Sequence, residues 1–401
     1  MPLSCVPCAV VRHVRCRTTL SLSYDSGFVA LLARRHRPAS DTTGPLSYDN
    51  ASVAPLAAST PAQPGGTTHR PQIGSPAPRA PVDGTTLVDM HERVLAVPLI
   101  RTSCFPSAER RALQRRAQRG ELRSVRPGVL VEPASTVHLL PEEQHLLLVR
   151  ATAHRIRPPR LLAHRSAALA YGLPLVGAPP DRVELRDPRR SRAETTAHQR
   201  VRPVVVHALR TRWDGTPPYE PSTFAGIAVE PLVDVLVDVA ATEPLVTALP
   251  VIDAALHDRR VLPEMLAEAA ETVSTAHDKA ATALRMGSAL SDSPAESVCR
   301  VRFMQLGAPV PVQQHVFARS GERTAVVDFW FPDQGVVVEV DGRAKYGEGL
   351  EAAAAHWQEK QREDFLRSFP EVRTVVRVVW SDLMAPERLR AKLLRAGVPC
   401  R

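Results

Sequence analysis

The stretch AVVDFWFPDQGVVVEVDG, residues 325–342, decides the fold of the C-terminal part of this chain. Two runs rich in Val, Phe and Trp flank residues 332–335 (PDQG), a composition that is typical of a β-hairpin turn. If these four residues form the turn, Phe331 pairs with Val336. The stretch therefore predicts two antiparallel strands in a fixed register.

Three carboxylates occupy related positions in this hairpin. Counting back from the turn places Asp328 opposite Glu339, and cross-strand partners share a face with Cβ atoms about 5 Å apart. Asp341, two residues beyond Glu339, lies on that face as well. Like charges placed so close repel and lose hydration, which raises at least one pKa unless a cation lies between them. Because Mg²⁺ prefers oxygen ligands, we interpret the three acids as a site for Mg²⁺ or Mn²⁺.

A scarce lysine follows the second strand. The chain has four lysines, and Lys345 is in the segment DGRAKYG, where Gly342 allows the backbone to turn back over the acids. A bound metal can activate water and stabilise charge on a phosphate, and a nearby cation can support the attack. Taken singly, Asp328 could cap a turn and Lys345 could be an ordinary loop charge. The combination predicts catalysis by Asp328, Glu339, Asp341 and Lys345.

The elements around the hairpin follow an α-β-β-β-α-β-α order. Ser293-Pro294 is typical of a helix start and Gly307 of a helix end. The predicted elements are a helix over 293–307, strands over 312–317, 325–330 and 336–341, a helix over about 350–368, a strand over 374–379 and a helix over about 385–396. Within the long helix, the charged side chains of Lys360 and Glu363 have two interpretations, an ordinary salt-bridged solvent face or a contribution to the acidic site.

Nearer the N-terminus, SAERRALQRRAQR (107–119) predicts a helix that Ser107 caps and Gly120 ends. Residues 121–133 alternate apolar and basic side chains around Pro127-Gly128, which predicts a β-hairpin. Helix and hairpin together suggest a winged helix. The segment is rich in arginine and can neutralise the phosphates of duplex DNA, although a solvated basic helix explains it equally well. The arginines that we expect to contact DNA are Arg110, Arg111, Arg115, Arg116, Arg119, Arg123 and Arg126.

The rest of the chain carries no chemical motif. Residues 1–85 are rich in Pro, Gly and Ser. This composition predicts either a disordered segment or an extension upstream of the true start of the protein, for which Met90 is a candidate. The middle region, 134–288, predicts a helix near 160–171, strands at 183–185 and 204–209, and an apolar helical stretch over 233–256. Its histidines, including His154, His164 and His207, we interpret as structural or surface residues.

Composition limits the protein class. The 401 residues carry 51 Lys and Arg against 42 Asp and Glu, a net charge of +9, which favours polyanionic partners only weakly. No apolar run reaches the roughly 20 residues that span a bilayer, so we expect no membrane partner and a cytoplasmic protein. Six scattered cysteines are too few for a disulfide framework.

Several motifs together resemble known families. The arrangement of Asp328, Glu339 and Asp341 resembles the PD-(D/E)xK nuclease superfamily. VDFWFP, VVVEVDGRAKYG, EKQRED and RVVWSDL are similar to proteins with a very-short-patch-repair-endonuclease-like domain, and the N-terminal part resembles the winged helix of AbiEi-type antitoxins. The resemblance implies Asp328 and Glu339 as metal ligands and Glu296 as a supporting carboxylate. Asp341 replaces the motif lysine, and Lys345 or Lys360 would stand in for it.

We therefore expect an α+β multidomain protein. Its predicted parts are a disordered tail (1–85), a winged-helix-like DNA-binding segment (90–133), a mixed α/β antitoxin-like middle region (134–288) and a restriction-endonuclease-like domain (289–401). The leading function is a metal-dependent DNA endonuclease. The alternative is a non-catalytic DNA-binding regulator of the antitoxin kind, with a cognate toxin as partner, and a pure scaffold is the third.

Overall fold

The computed structural model describes residues 87–203, 222–273, 276–319, 324–341 and 360–401, and it has a mixed α and β architecture. Several predictions lie outside the described residues. They are those on the tail 1–85, the strand at 204–209 with His207, residues 350–359 of the long helix, and Lys345.

The N-terminal part combines two helices with a small sheet. In chain order its elements are α1 (Leu87–Ala96), β1 (Ile100–Arg101), α2 (Ser107–Gln118), β2 (Arg123–Arg126) and β3 (Val129–Val131). The predicted helix and hairpin are both present. Ser107 is not the cap that we expected, because α2 already begins there and Pro106, which has no capping side chain, occupies the N-cap position. Gly120 ends the helix with a φ of +78°.

The small sheet has the order β1-β3-β2, so that β3 is the central strand. Arg101 on β1 and Arg126 on β2 are both paired with Val129, one on each side. Val129 is buried, and the ladder shifts by one residue near Arg126. Two arginines therefore flank one position of the central strand.

The middle region has a four-stranded sheet and a helical layer. The elements are α3 (Pro141–Thr152), β4 (Leu161–Leu162), α4 (His164–Ala170), β5 (Val183–Arg186), β6 (Glu194–Thr195), β7 (Gln199–Arg202), β8 (Thr223–Phe224), β9 (Ile227–Ala228), α5 (Leu232–Thr242), α6 (Leu245–His257), α7 (Pro263–Thr272) and α8 (His277–Met286). The apolar stretch 233–256 forms two helices, because Pro244 disfavours helical backbone at Glu243.

The C-terminal part is a four-stranded sheet with helices on both faces. Its elements are α9 (Pro294–Gln305), β10 (Val312–Ala318), β11 (Thr324–Phe331), β12 (Val336–Asp341), α10 (described over residues 360–367), β13 (Thr374–Val379), α11 (Trp380–Leu383) and α12 (Pro386–Ala396). The sheet order is β10-β11-β12-β13, antiparallel except for the parallel pair β12 and β13. Helices α9 and α12 share one apolar cluster with the sheet, and α10 shares the other.

The predicted hairpin register is confirmed, since Phe331 pairs with Val336. Gly335 closes the turn with a φ of +65°, which favours glycine. A Cβ atom there would also lie 2.6 Å from the carbonyl oxygen of Glu371. Regular pairing of β11 with β12 ends at Phe329 and Val338, one position before the acidic residues.

Helices α6 and α9 join the middle and C-terminal parts. Arg300 on α9 donates to Asp253 on α6 at 2.8 Å, and both side chains are largely buried. Val176 and Val246 of the middle region also pack against the C-terminal apolar cluster. The two parts thus share an interface with an ion pair and apolar contacts. Among the described helices, none is both long and apolar enough to cross a membrane.

Candidate functional site

Glu296 lies in the first turn of α9 and is held there by its helix cap. The Ser293 hydroxyl accepts from the Glu296 amide at 3.2 Å and donates to its Oε1 at 2.7 Å. The Asp292 amide and Gln314 Nε2 donate to Oε2 at 3.0 and 3.1 Å. Burial and repulsion by Asp328 nevertheless raise the pKa of Glu296 to about 7. Glu296 therefore exchanges a proton near neutral pH.

Asp328 lies at the point where β11 stops pairing with β12. Its Oδ2 accepts from the Val340 amide at 2.7 Å, so that the carboxylate replaces a backbone partner of the ladder. Burial raises the pKa of Asp328, and the Val340 hydrogen bond and the positive charge of Arg362 offset part of that rise. Asp341 repels Asp328. Two of the three predicted acids, Asp328 and Asp341, are thus within electrostatic reach of each other.

Glu339 has a different neighbour. Its Oε1 accepts from Arg362 Nη2 on α10 at 2.7 Å, and the same nitrogen donates to the Val326 carbonyl at 2.5 Å. Glu339 is 9% exposed, whereas the Arg362 side chain is 39% exposed, so water reaches this ion pair from the arginine side only. Arg362 therefore supplies positive charge between β11 and β12. The sequence analysis did not single out Arg362.

Asp341 lies near Arg377 on the parallel strand β13, with Oδ2 3.6 Å from Nη1. The other end of that guanidinium lies 3.5 Å from Glu363 Oε2 on α10. Glu363 thus contacts the arginine that neighbours Asp341, and it also forms an ion pair with Arg367 at 2.5 Å. Lys360 is exposed. We call Glu296, Asp328, Glu339, Asp341, Arg362 and Arg377 the carboxylate site.

The donor chemistry of the carboxylate site fits a hard divalent cation. Carboxylate oxygens are its preferred ligands, and a cation would remove the repulsion between Glu296 and Asp328. The positions of the side chains fit such an ion less well than their chemistry does. In the described parts of the chain, no group of three or more His, Cys, Asp or Glu side chains is placed to hold a metal ion. Arginines neutralise Glu339 and Asp341 instead. Metal binding by Asp328, Glu339 and Asp341 stays a prediction.

The arginines of α2 form an exposed basic surface. No residue of α2 is buried. Arg116 and Arg119 both donate to Glu121, at 3.1 and 2.6 Å. The other arginines predicted to contact DNA on this helix are exposed and are Arg110, Arg111 and Arg115. Of the two on β2, Arg123 is half-buried, whereas Arg126 is only 6% exposed and so differs from the rest of the predicted set.

The middle region contains a buried polar network that has no sequence motif. His164 Nδ1 donates to Glu184 Oε2 at 2.7 Å, and Arg202 donates to Glu184 Oε1 at 3.1 Å. His145 Nε2 lies 2.8 Å from the Ser166 hydroxyl, a spacing that a nucleophile and its base would also have. Both residues are buried, and burial lowers the pKa of His145 to about 4. His164 is thus part of a buried hydrogen-bond network, and its interpretation as a structural residue stays a prediction.

Comparisons of the chain with known protein families, with curated proteins and with solved structures find no match. The resemblance to PD-(D/E)xK nucleases and AbiEi-type antitoxins therefore stays an expectation that rests on the quoted motifs. The function has to be inferred from the two charged regions, the carboxylate site and the basic surface of α2.

Proposed function

We propose that this protein binds DNA and hydrolyses phosphodiester bonds at the carboxylate site with a divalent metal ion, Mg²⁺ or Mn²⁺. The observation that carries the proposal is the pair formed by buried Glu296 and half-buried Asp328, whose pKa values are both raised. Two acids that repel each other in a buried position destabilise the fold, and such arrangements are concentrated at functional sites. A cation bound between them would relieve that repulsion.

The residues of the site have distinct roles in this proposal. Asp328 and Asp341 would hold the ion, with Glu339 once it leaves Arg362, and the bound ion would activate water and stabilise charge on the phosphate. Glu296, with its pKa of about 7, suits the acceptance of a proton from water near neutral pH. Arg362 and Arg377 carry guanidinium groups that suit phosphate oxygens.

We also propose a fold for the C-terminal part of the chain and one for the N-terminal part. The described C-terminal elements follow the order helix, three strands, helix, strand and helix, which supports a restriction-endonuclease-like core. The N-terminal helices with the β2–β3 hairpin support a winged helix. In that arrangement the exposed arginines of α2 would face the phosphates of a duplex. A basic surface of this kind binds DNA because binding releases the counterions that surround the phosphates.

Cleavage of supercoiled plasmid in the presence of Mg²⁺ or Mn²⁺ tests the proposal. We expect the wild type to nick or cut, and Asp328→Asn to lose the activity while its far-UV spectrum stays that of the wild type and its unfolding midpoint does not fall. Asp333→Asn, an exposed change in the turn of the same hairpin, is the matched control and should cut normally. Equal cleavage by Asp328→Asn and the wild type would show that Asp328 takes no part in cleavage and would contradict the assignment of the carboxylate site.

A second function is favoured by one specific observation, the ion pair of Glu339 with Arg362. If that pair is permanent, the carboxylate site is neutralised by arginines and the protein is a non-catalytic DNA-binding regulator, with a cognate toxin as its partner. A salt-dependent gel shift with no metal-dependent cleavage of plasmid, mismatched or single-stranded DNA would support the regulator over the nuclease.

A further inference from the structure

Arg126 is a buried cation whose donors are unused. Arg126 is 6% exposed, and its Nε and Nη1 atoms are both buried without a hydrogen-bond partner. Among the described residues, no carboxylate forms an ion pair with it. A buried charge without a partner destabilises a fold by several kcal/mol, roughly, unless something else compensates it. The position therefore needs an explanation.

Two further arginines surround Arg126. Arg101 is its neighbour across the central strand, since both are paired with Val129. Arg101 Nη1 donates to His154 Nδ1 at 2.7 Å, and Arg155 follows His154 in the chain. Burial lowers the pKa of Arg126, and repulsion by Arg155 and Arg101 lowers it further. We call Arg101, Arg126 and Arg155 the arginine cluster.

Other buried or half-buried arginines of the described structure have partners. Arg186 lies between the carboxylates of Glu230 and Asp238, and Arg300 donates to Asp253. Arg150 donates to two backbone carbonyls. Arg126 differs from these three because it has no acidic partner in the described structure, two of its donor nitrogens are unused, and it is repelled by two nearby cations.

We propose that the arginine cluster binds one phosphate group of the DNA backbone. The identity of the phosphate as part of DNA rests on the proposed DNA binding. A phosphodiester carries one negative charge and acceptor oxygens, which would reduce the repulsion among the three arginines and would accept from the unused N–H groups of Arg126 once its side chain turns outward. Because Arg155 follows α3, the DNA contact extends from the winged-helix-like segment into the middle region. The contact carries no base-specific information.

Arg126→Met is the test, because Met fills similar space without charge. Fluorescence anisotropy with two short duplexes of unrelated sequence, across a range of KCl concentrations, measures the effect. We expect affinity for both duplexes to fall on the order of ten-fold and the slope of log K against log salt to fall by about one. Stability should stay the same or rise, because the variant removes an unpaired buried charge.

A purely structural Arg126 would behave in the opposite way. Arg126→Met would then unfold more easily, and the folded fraction would bind DNA as the wild type does; that result would overturn the proposal. Arg155→Gln, at an exposed position, gives a second measurement that does not depend on the folding of Arg126→Met, and it should also weaken binding several-fold. Arg285→Met, an exposed change on α8, is the control that should leave affinity unchanged.

Two further results separate this proposal from its alternatives. Failure of the wild type to bind any duplex at low salt would overturn the proposed function, and with it the DNA source of the phosphate. Binding by the wild type and Arg126→Met with equal affinity would overturn only the arginine cluster as a DNA contact. If potassium phosphate, at matched ionic strength with KCl, raises the unfolding temperature of the wild type alone while DNA affinity is equal, the site binds free phosphate instead.

Discussion

Glu184 in the middle region and Glu296 in the C-terminal part are two buried glutamates with opposite chemistry. Both are nearly inaccessible, at 5% and 6% exposure. Burial raises the pKa of each, but His164 and Arg202 reverse this at Glu184 and lower its pKa to about 2. At Glu296 a second acid, Asp328, adds to the burial effect, and the pKa rises to about 7. Burial alone therefore does not decide the direction in which the pKa of a buried acid shifts. The sign of the charge on the neighbouring side chains decides it.

The same contrast separates two buried arginines. Arg186 lies between the carboxylates of Glu230 and Asp238, and Arg126 lies among other arginines. A compensated charge stabilises the position of the elements that carry it. In our proposals an uncompensated charge marks the site of a ligand, a cation at Glu296 and an anion at Arg126.

Removing the structural acid should have the largest effect on stability. Glu184→Gln takes away the negative charge that His164 and Arg202 contact, so we expect the free energy of unfolding at pH 7 to fall by about 4 kcal/mol. Because the folded pKa of about 2 is below the unfolded value of 4.5, the wild type loses this advantage as the pH falls from 4.5 through 2. Urea unfolding of both proteins at pH 7 and pH 3 checks the loss. An equal difference at both pH values would contradict the assignment.

Glu296→Gln should behave in the opposite way with pH. The folded pKa of about 7 lies above the unfolded value of 4.5, so the wild type loses stability as the pH rises from 4.5 through 7. The variant cannot ionise. Relative to the wild type, we expect it to gain up to about 3 kcal/mol between pH 4.5 and pH 8, as measured by urea unfolding. A difference that does not change with pH would remove the contrast between the two glutamates.

A divalent ion sharpens the same comparison without an activity assay. If Mg²⁺ or Mn²⁺ binds at the carboxylate site, it should raise the unfolding temperature of the wild type at pH 8, since it binds the folded state. Asp328→Asn should respond less. Glu184 lies outside the site, so Glu184→Gln should respond as the wild type does. An equal response in all three proteins would place the ion elsewhere.

The hairpin turn should matter less than the buried charges. Gly335→Ala places a Cβ atom 2.6 Å from the Glu371 carbonyl oxygen at a φ of +65°, so we expect a loss of about 2 kcal/mol. Gly177→Ala is the matched control, because φ is +104° but no atom lies within 4 Å of the added Cβ. Its loss should be about 1 kcal/mol, from backbone strain alone. Equal losses would mean that the contact with Glu371 has no effect on stability.

The smallest effect on stability is expected at an exposed acid. Glu121 contacts Arg116 and Arg119, and these arginines lower its pKa. Glu121→Gln should leave the unfolding midpoint unchanged, because exposed ion pairs stabilise little. It frees two arginines of α2, so affinity for duplex DNA should rise a few-fold at low salt. A lower affinity in anisotropy measurements would mean that Glu121 orients these arginines for DNA.

The sequence was a good guide where local rules decide the structure. The turn at 332–335 predicted the pairing of Phe331 with Val336, and the strand Val336–Asp341 has the predicted bounds. Ser293 caps α9 through the Glu296 amide, as its position before Pro294 indicated. Each of these features depends on neighbouring residues, whose propensities are readable one segment at a time.

Features that depend on long-range packing were missed. Arg362 and Arg377 reach the carboxylate site because α10 packs on the sheet and β13 pairs in parallel with β12, and neither contact leaves a pattern in the sequence. The burial of Arg126 likewise follows from packing, since its place in a run of exposed arginines gave no signal. The network around Glu184 joins residues from β5, β7 and α4 without any motif.

The contact between α6 and α9 has a consequence for how the protein responds to damage. Arg300 and Asp253 close an interface that apolar side chains of both parts also share. Because the interface combines a largely buried ion pair with apolar contacts, we expect the two regions to unfold together rather than in turn. Heat that disrupts the C-terminal sheet should then also abolish the DNA binding that we propose near the N-terminus, so that no half-folded form retains one property without the other.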